Sequence, residues 1–310
     1  MKLKSNIDTV FDQNRLKPSL FKAWIVFALL FAAYITNAWI TNTQQVFTQL
    51  DTISKLVSKN TQQQANQLFS QLKQLNKRLL LAENPQAALA GYLLTAENSS
   101  FDHGFLVDQD GRILTSSFRH NNNLRLDLSK IIITPAIINK LQKSVEPHFV
   151  PTFSLGAGSS SQYVAICMST QLADTSLLCL AISTENEKLS WSNINDINDT
   201  AIRIIGADNH LLYAEPLPLH KRTLLGTKIT PSAINQYVNE LQDDSLNQGQ
   251  YHHKLGIDGV NRMGSVHYLE SLDLFIFIST PTTQVIVSWL EEILPPFLFM
   301  LLLYLISFLY

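Results

Sequence analysis

The chain has 310 residues with 23 Lys and Arg against 25 Asp and Glu, a formal charge of −2 at neutral pH. That balance excludes a polybasic nucleic-acid surface. Hydrophobic content of 46% beside only 15% charged residues points to localised apolar segments, and the length allows about two domains.

Residues 1–22 carry Lys2, Lys4, Arg15, Lys17 and Lys22 against Asp8 and Asp12, which places the N-terminus in the cytoplasm. Ala23–Ile40 follows as a charge-free apolar run bracketed by Trp24 and Trp39. Its length is close to the roughly 20 residues that a helix needs to cross a bilayer. No small-x-small cleavage site follows it, so residues 23–41 read as an uncleaved first transmembrane helix. A second run, Ile293–Tyr310, is preceded by Trp289, Glu291 and Glu292, and residues 289–310 read as a second span. Residues of about 42–288 then lie in the periplasm of a bacterial inner-membrane protein. The chain stops at Tyr310, at the inner edge of that span, and the expectation is a cytoplasmic output half beyond it.

Residues 42–99 form the stalk. Val46, Leu50, Ile53 and Val57, then Ala65, Leu68, Leu72, Leu75 and Leu79, give one helical stripe interrupted near residues 60–64. Pro85 stops or kinks the helix, and Gln86–Ala96 can form a short second one.

From Gly104 to Ser117 the sequence GFLVDQDGRILTSS sets a turn at Asp110-Gly111 between two apolar runs, a strong hairpin pattern. The pattern then recurs. LVDQDGRILTSS (106–117) aligns with IIGADNHLLYAE (204–215), TPAIINKLQ (134–142) with TPSAINQYV (230–238), and AISTENEKL (181–189) with FISTPTTQV (277–285). The near-constant offset implies two related modules, residues 100–190 and 191–288. Each is expected to run strand, Asp-centred turn, strand, a short helix opened by Thr-Pro, then two closing strands. The closing strands are 162–170 and 176–184 in the first module, 262–269 and 273–280 in the second.

A long helix and two PAS-like antiparallel-sheet modules between two spans resembles the double Cache (PDC) sensor region of bacterial transmembrane receptors. The resemblance implies an α+β fold and a small-molecule ligand, or a periplasmic binding protein, received by the membrane-distal module. It also implies a homodimer along the stalk and a membrane-proximal module that relays the change to the second span. Outputs in that family include histidine kinases, chemoreceptor helices and cyclic-di-GMP enzymes. The amino-acid-binding version carries a Tyr/Arg/Trp/Tyr cluster after the first hairpin. Residues 118–150 hold Arg119, His120 and Arg125 but no Trp or Tyr, so amino-acid recognition is not supported.

Alternation on strand 162–170 puts Tyr163, Ala165 and Cys167 on one face, where small residues beside a Tyr leave room for a ligand or make an ordinary core. Arg119 and His120 could receive a carboxylate or phosphate, or could be solvated loop residues. Cys167 and Cys179 are equidistant from Ala173, so a symmetric hairpin sets them opposite each other, as a disulfide or as two buried thiols. His252-His253 lacks a third ligand at metal spacing. No GxSxG, HExxH or phosphate loop occurs, so neither catalysis nor a cofactor is expected. The competing reading is a two-span periplasmic protein of the polysaccharide chain-length regulator type, with prolines such as Pro295-Pro296 in the second span and a helix-dominated periplasmic domain.

Overall fold

A computed structural model describes residues 13–95, 101–108, 113–116, 139, 141–143, 146–154, 162–172, 177–183, 200–206, 209, 211–217, 224–225, 248–254 and 259–309. The chain divides into two units, residues 1–48 with 283–310, and residues 49–282.

In the first unit, the start of α1 (Gln13–Leu80) packs against α3 (Thr282–Leu309). Trp24 meets Tyr304, Phe31 meets Phe297 and Trp39 meets Trp289, with ring centroids 5.0, 6.0 and 5.4 Å apart. The pairs advance in opposite directions along the two helices, so the helices are antiparallel. Asn42 Nδ2 donates to the carbonyl of Val285 at 3.1 Å. The remaining surface is apolar and open, with Ile25, Leu29, Leu30, Leu298, Phe299 and Leu302 among the exposed residues. Both helices are long and apolar enough to cross a membrane. Exposed apolar surface of this extent suits lipid, not water.

The second unit holds the rest of α1, α2 (Pro85–Thr95) and two five-stranded antiparallel sheets. Asn84 caps α2: its side-chain oxygen accepts from the Ala87 N–H at 3.0 Å, and Pro85 takes the first helical position, where no N–H is needed. The first sheet comprises β1 (His103–Val107), β2 (Ile113–Ser116), β3 (His148–Ser154), β4 (Gln162–Ser169) and β5 (Leu177–Ser183), in the order β2-β1-β5-β4-β3. The second comprises β6 (Ala201–Gly206), β7 (Leu211–Glu215), β8 (Gln248–Lys254), β9 (Asn261–Leu269) and β10 (Leu274–Pro281), in the order β7-β6-β10-β9-β8. The two orders are identical once the second is renumbered, so the sequence repeat is a repeat of topology. The fold is α+β, and its two sheets replace the helix-dominated domain that the competing reading requires.

Each sheet has one strand more than the repeat predicts. β3 and β8 are edge strands and carry little apolar alternation; Pro151 lies inside β3, where the register with β4 shifts between Val150 and Phe153. A proline removes a ladder donor and is tolerated at such an edge. The turn at Asp110-Gly111 and both Thr-Pro segments lie outside the described residues. In the second copy of the turn Asn209 is described: it adopts a left-handed φ of 68°, and its N–H donates to Gly206 O at 2.8 Å. Asparagine is the residue after glycine that best tolerates that conformation.

One face of each sheet is turned to α1. Leu50, Val57, Ala65, Leu68, Leu72, Leu75 and Leu79 are buried at helical spacing. The interruption read near residues 60–64 does not occur, because Thr61 is buried and continues the stripe. Opposite the first sheet, Phe69 meets Phe149 at 5.8 Å and Thr170 donates to Asn76 Oδ1 at 2.7 Å. Opposite the second, Ser271 bonds Gln62.

On the other face of the second sheet, the Tyr251 ring lies across Gly264, its register partner, where an added Cβ would overlap the ring. We therefore expect Gly264→Ala to lower stability by about 1–3 kcal/mol in denaturant titrations. Its additional effect should be smaller in a Tyr251→Ala background, because the two positions are in contact.

Candidate functional site

The faces turned away from α1 are the candidate ligand floors. In the first sheet it is formed by Phe105 and Val107 from β1, Val150 from β3, Ala165 and Cys167 from β4, and Leu177, Cys179 and Ala181 from β5, with Leu141 buried in the same cluster and Tyr163 packed at the margin. Cys167 and Cys179 are register partners, their Cα atoms are 4.1 Å apart, and the two sulfurs are joined in a disulfide. Both are buried, so no thiol is presented to a ligand. Tyr163 faces the His103 ring edge-on at 5.1 Å. His103 pairs with Ala181, and Ala181 with Ala165. The floor thus has a polar end, His103 and Tyr163, next to two alanines, and an apolar end beyond the disulfide.

Arg119 and His120 lie outside the described residues. His103 was not singled out from the sequence. Its position one strand-pair step from Tyr163 follows from β1 pairing with β5, a long-range contact that the local pattern around residue 103 does not contain.

The second sheet presents the same lattice with different contents. Phe275 pairs with Tyr268 and occupies the place of the Cys179–Cys167 pair; the two rings stack at 4.5 Å and 24°. Phe277 and Val266, also register partners, occupy the places of Ala181 and Ala165. Arg203, the register partner of Phe277, occupies that of His103; it is 1% exposed, and its guanidinium donates to Ser279 Oγ at 3.4 Å. Tyr251, edge-on to Phe277 at 5.7 Å, covers Gly264, the counterpart of Tyr163. Large side chains therefore occupy the centre of this floor. His252, the register partner of Met263, lies 3.2 Å from Thr282 Oγ1.

Burial pushes the pKa of His103 down to about 4, with nearby Asp102 opposing the shift. Its imidazole is neutral at physiological pH and serves as a donor–acceptor, not as a cation. A histidine whose folded pKa lies below its unfolded value contributes stability that is intact above pH 6.5 and lost as pH falls toward 4. A two-dimensional NMR titration should show the His103 ring titrating near pH 4, with the stability of the domain declining between those two values. A ring titrating at 6.5 would contradict the buried placement.

No family model matches the sequence, and no curated protein matches it either. Solved structures do. The extracellular domain of rpHK1S-Z16, assigned as a histidine kinase, superposes with a TM-score of 0.56 at 13% identity, over 77% of this chain and 95% of that one. The periplasmic sensory domain of the Campylobacter jejuni chemoreceptor Tlp1 gives 0.53 at 10% identity, over 79% and 98%. A structure named methyl-accepting chemotaxis protein X gives 0.53 at 12%, over 77% and 98%. At such identities the likeness is one of fold, and it extends over almost the whole of each neighbour. With its long helix and its two sheets of one topology, the chain has the double Cache-like fold of the extracytoplasmic sensor domains of bacterial histidine kinases and chemoreceptors.

Proposed function

We propose that the chain is the sensing and membrane-spanning part of a bacterial signal-transduction receptor, and that a small molecule binds on the floor of the first, membrane-distal sheet. The observation that carries this reading is the contrast between two floors built on one register. Ala165 and Ala181 leave the first floor low, where Val266, Phe277 and the Tyr251 ring fill the second. A concave, mostly apolar seat with a few converging polar groups is the usual form of a small-molecule site.

In this reading His103 and Tyr163 orient the ligand from the floor, and the Cys167–Cys179 disulfide fixes the two strands beneath it. Arg119 and His120, which follow β2 in the sequence, are our candidates to receive an anionic group if the ligand carries one. The protein works as a homodimer along α1 in the inner membrane with its N-terminus in the cytoplasm. Exposed Leu56 belongs to the outward face of that helix. Relay is mechanical. β10 is the central strand of the second sheet and passes directly into α3, so movement of that sheet is delivered to the second span. From there it reaches a kinase, chemoreceptor or cyclic-di-GMP output. The ligand shifts this equilibrium only by its difference in affinity between the two states.

A thermal-shift screen of metabolites on the full chain in detergent supplies the test ligand. Ala181→Phe, which copies the second floor into the first, should weaken binding of that ligand by about tenfold or more, as filling a pocket does. The milder Ala165→Val should weaken it less, and Phe277→Leu in the second floor should leave it within about twofold. Undiminished binding by a folded Ala181→Phe protein, or its loss in Phe277→Leu, would place the seat elsewhere.

A further inference from the structure

The stripe on α1 changes character along its length. Opposite the first sheet it is built of Leu68, Leu72, Leu75 and Leu79. Opposite the second it includes Ser54, Ser58 and Thr61, all nearly inaccessible to solvent. The Ser54 and Ser58 hydroxyls and Nδ1 of His267 have no hydrogen-bond partner among the described residues. The leucine stretch has one such atom, Gln71 Oε1, beside four apolar side chains. Buried polar atoms are nearly always satisfied, so three of them in one seam mark an arrangement that gains hydrogen bonds when it opens to water.

His267 lies on the α1-facing side of β9. From α1 it feels Asp51 and Lys55, which are paired with each other at 2.8 Å. Its register partners within the sheet are Ile276 on β10 and Gln248 on β8, neither charged. Ser265, on the same side of the same strand, is buried beside it. The imidazole thus sits among uncharged neighbours within the sheet, with the Asp51–Lys55 pair facing it from α1.

We infer that the seam between α1 and the second sheet is a pH-gated joint, closed while His267 is neutral and loosened when that ring gains a proton. Burial lowers the His267 pKa from its ordinary 6.5, with Asp51 opposing and Lys55 reinforcing the shift. The docked seam therefore binds fewer protons than the open one, and acidification favours opening. Among the described residues the leucine seam over the first sheet holds no unpartnered histidine, and it stays docked. Acid would act on the relay module from its α1 side, independently of any ligand on the first floor, so the joint stands or falls apart from the ligand seat.

Hydrogen exchange on the ligand-free full chain in nanodiscs reads this directly. Wild type and His267→Gln are compared at the same pH, so the intrinsic dependence of exchange cancels. At about pH 7.5 the two proteins should agree within about twofold over residues 50–62 and 261–269. At about pH 5.5 wild type should exchange faster there than His267→Gln, since only the wild-type seam takes up a proton on opening. Residues 68–79 should not differ. Asp51→Asn, which removes the carboxylate favouring the charged ring, should move the onset to lower pH. Equal exchange of wild type and His267→Gln at the acidic pH overturns the proposal. If His267→Gln is already open at neutral pH, Asp51→Asn decides, and an unmoved onset overturns it.

Discussion

Burial of one stripe of α1 is the contact on which the rest of the two-sheet unit depends. Among the described residues neither five-stranded sheet is covered by a second one, so each must hide one face under something else. The helix provides it: small and apolar residues at three- and four-residue intervals, from Leu50 to Leu79, are buried in succession. Each fully buried leucine contributes on the order of 1.5–3 kcal/mol by leaving water. With one face of each sheet committed to the helix, the other is left for ligand or for packing, and the two modules make different use of it.

The difference lies in side-chain volume on a shared lattice. The same strand order and the same register put Ala181 and Phe277, Ala165 and Val266, and His103 and Arg203 at corresponding places. The first sheet ties its closing strands with a disulfide and keeps its floor low. The second stacks Tyr268 on Phe275 at the same point and fills the centre with rings. A filled sheet continuing directly into α3 suits transmission; a low floor bordered by a neutral histidine and a tyrosine suits recognition.

Much of this was legible in the sequence, and the limits have physical causes. The repeat near a 96-residue offset carried the tandem modules, because equal spacing of strands and turns is what equal topology requires. The apolar runs at 23–40 and 293–310 carried the two membrane helices. The third strand of each module went unread, because edge strands such as β8, QGQYHHK, need no apolar alternation. Residues 60–64 read as an interruption of the stripe because all are polar or small, yet the short side chain of Thr61 fits a close helix–sheet contact. His103 and Arg203 could not be found locally: each owes its role to a partner strand more than 70 residues away.

The central claim is that the ligand is received by the first sheet and not the second. Hydrogen exchange with and without a ligand from the metabolite screen tests it most directly. The account predicts ligand-induced protection in residues 103–107, 162–169 and 177–183, with at most secondary changes in 201–206 and 261–281. Protection confined to the second sheet would contradict it.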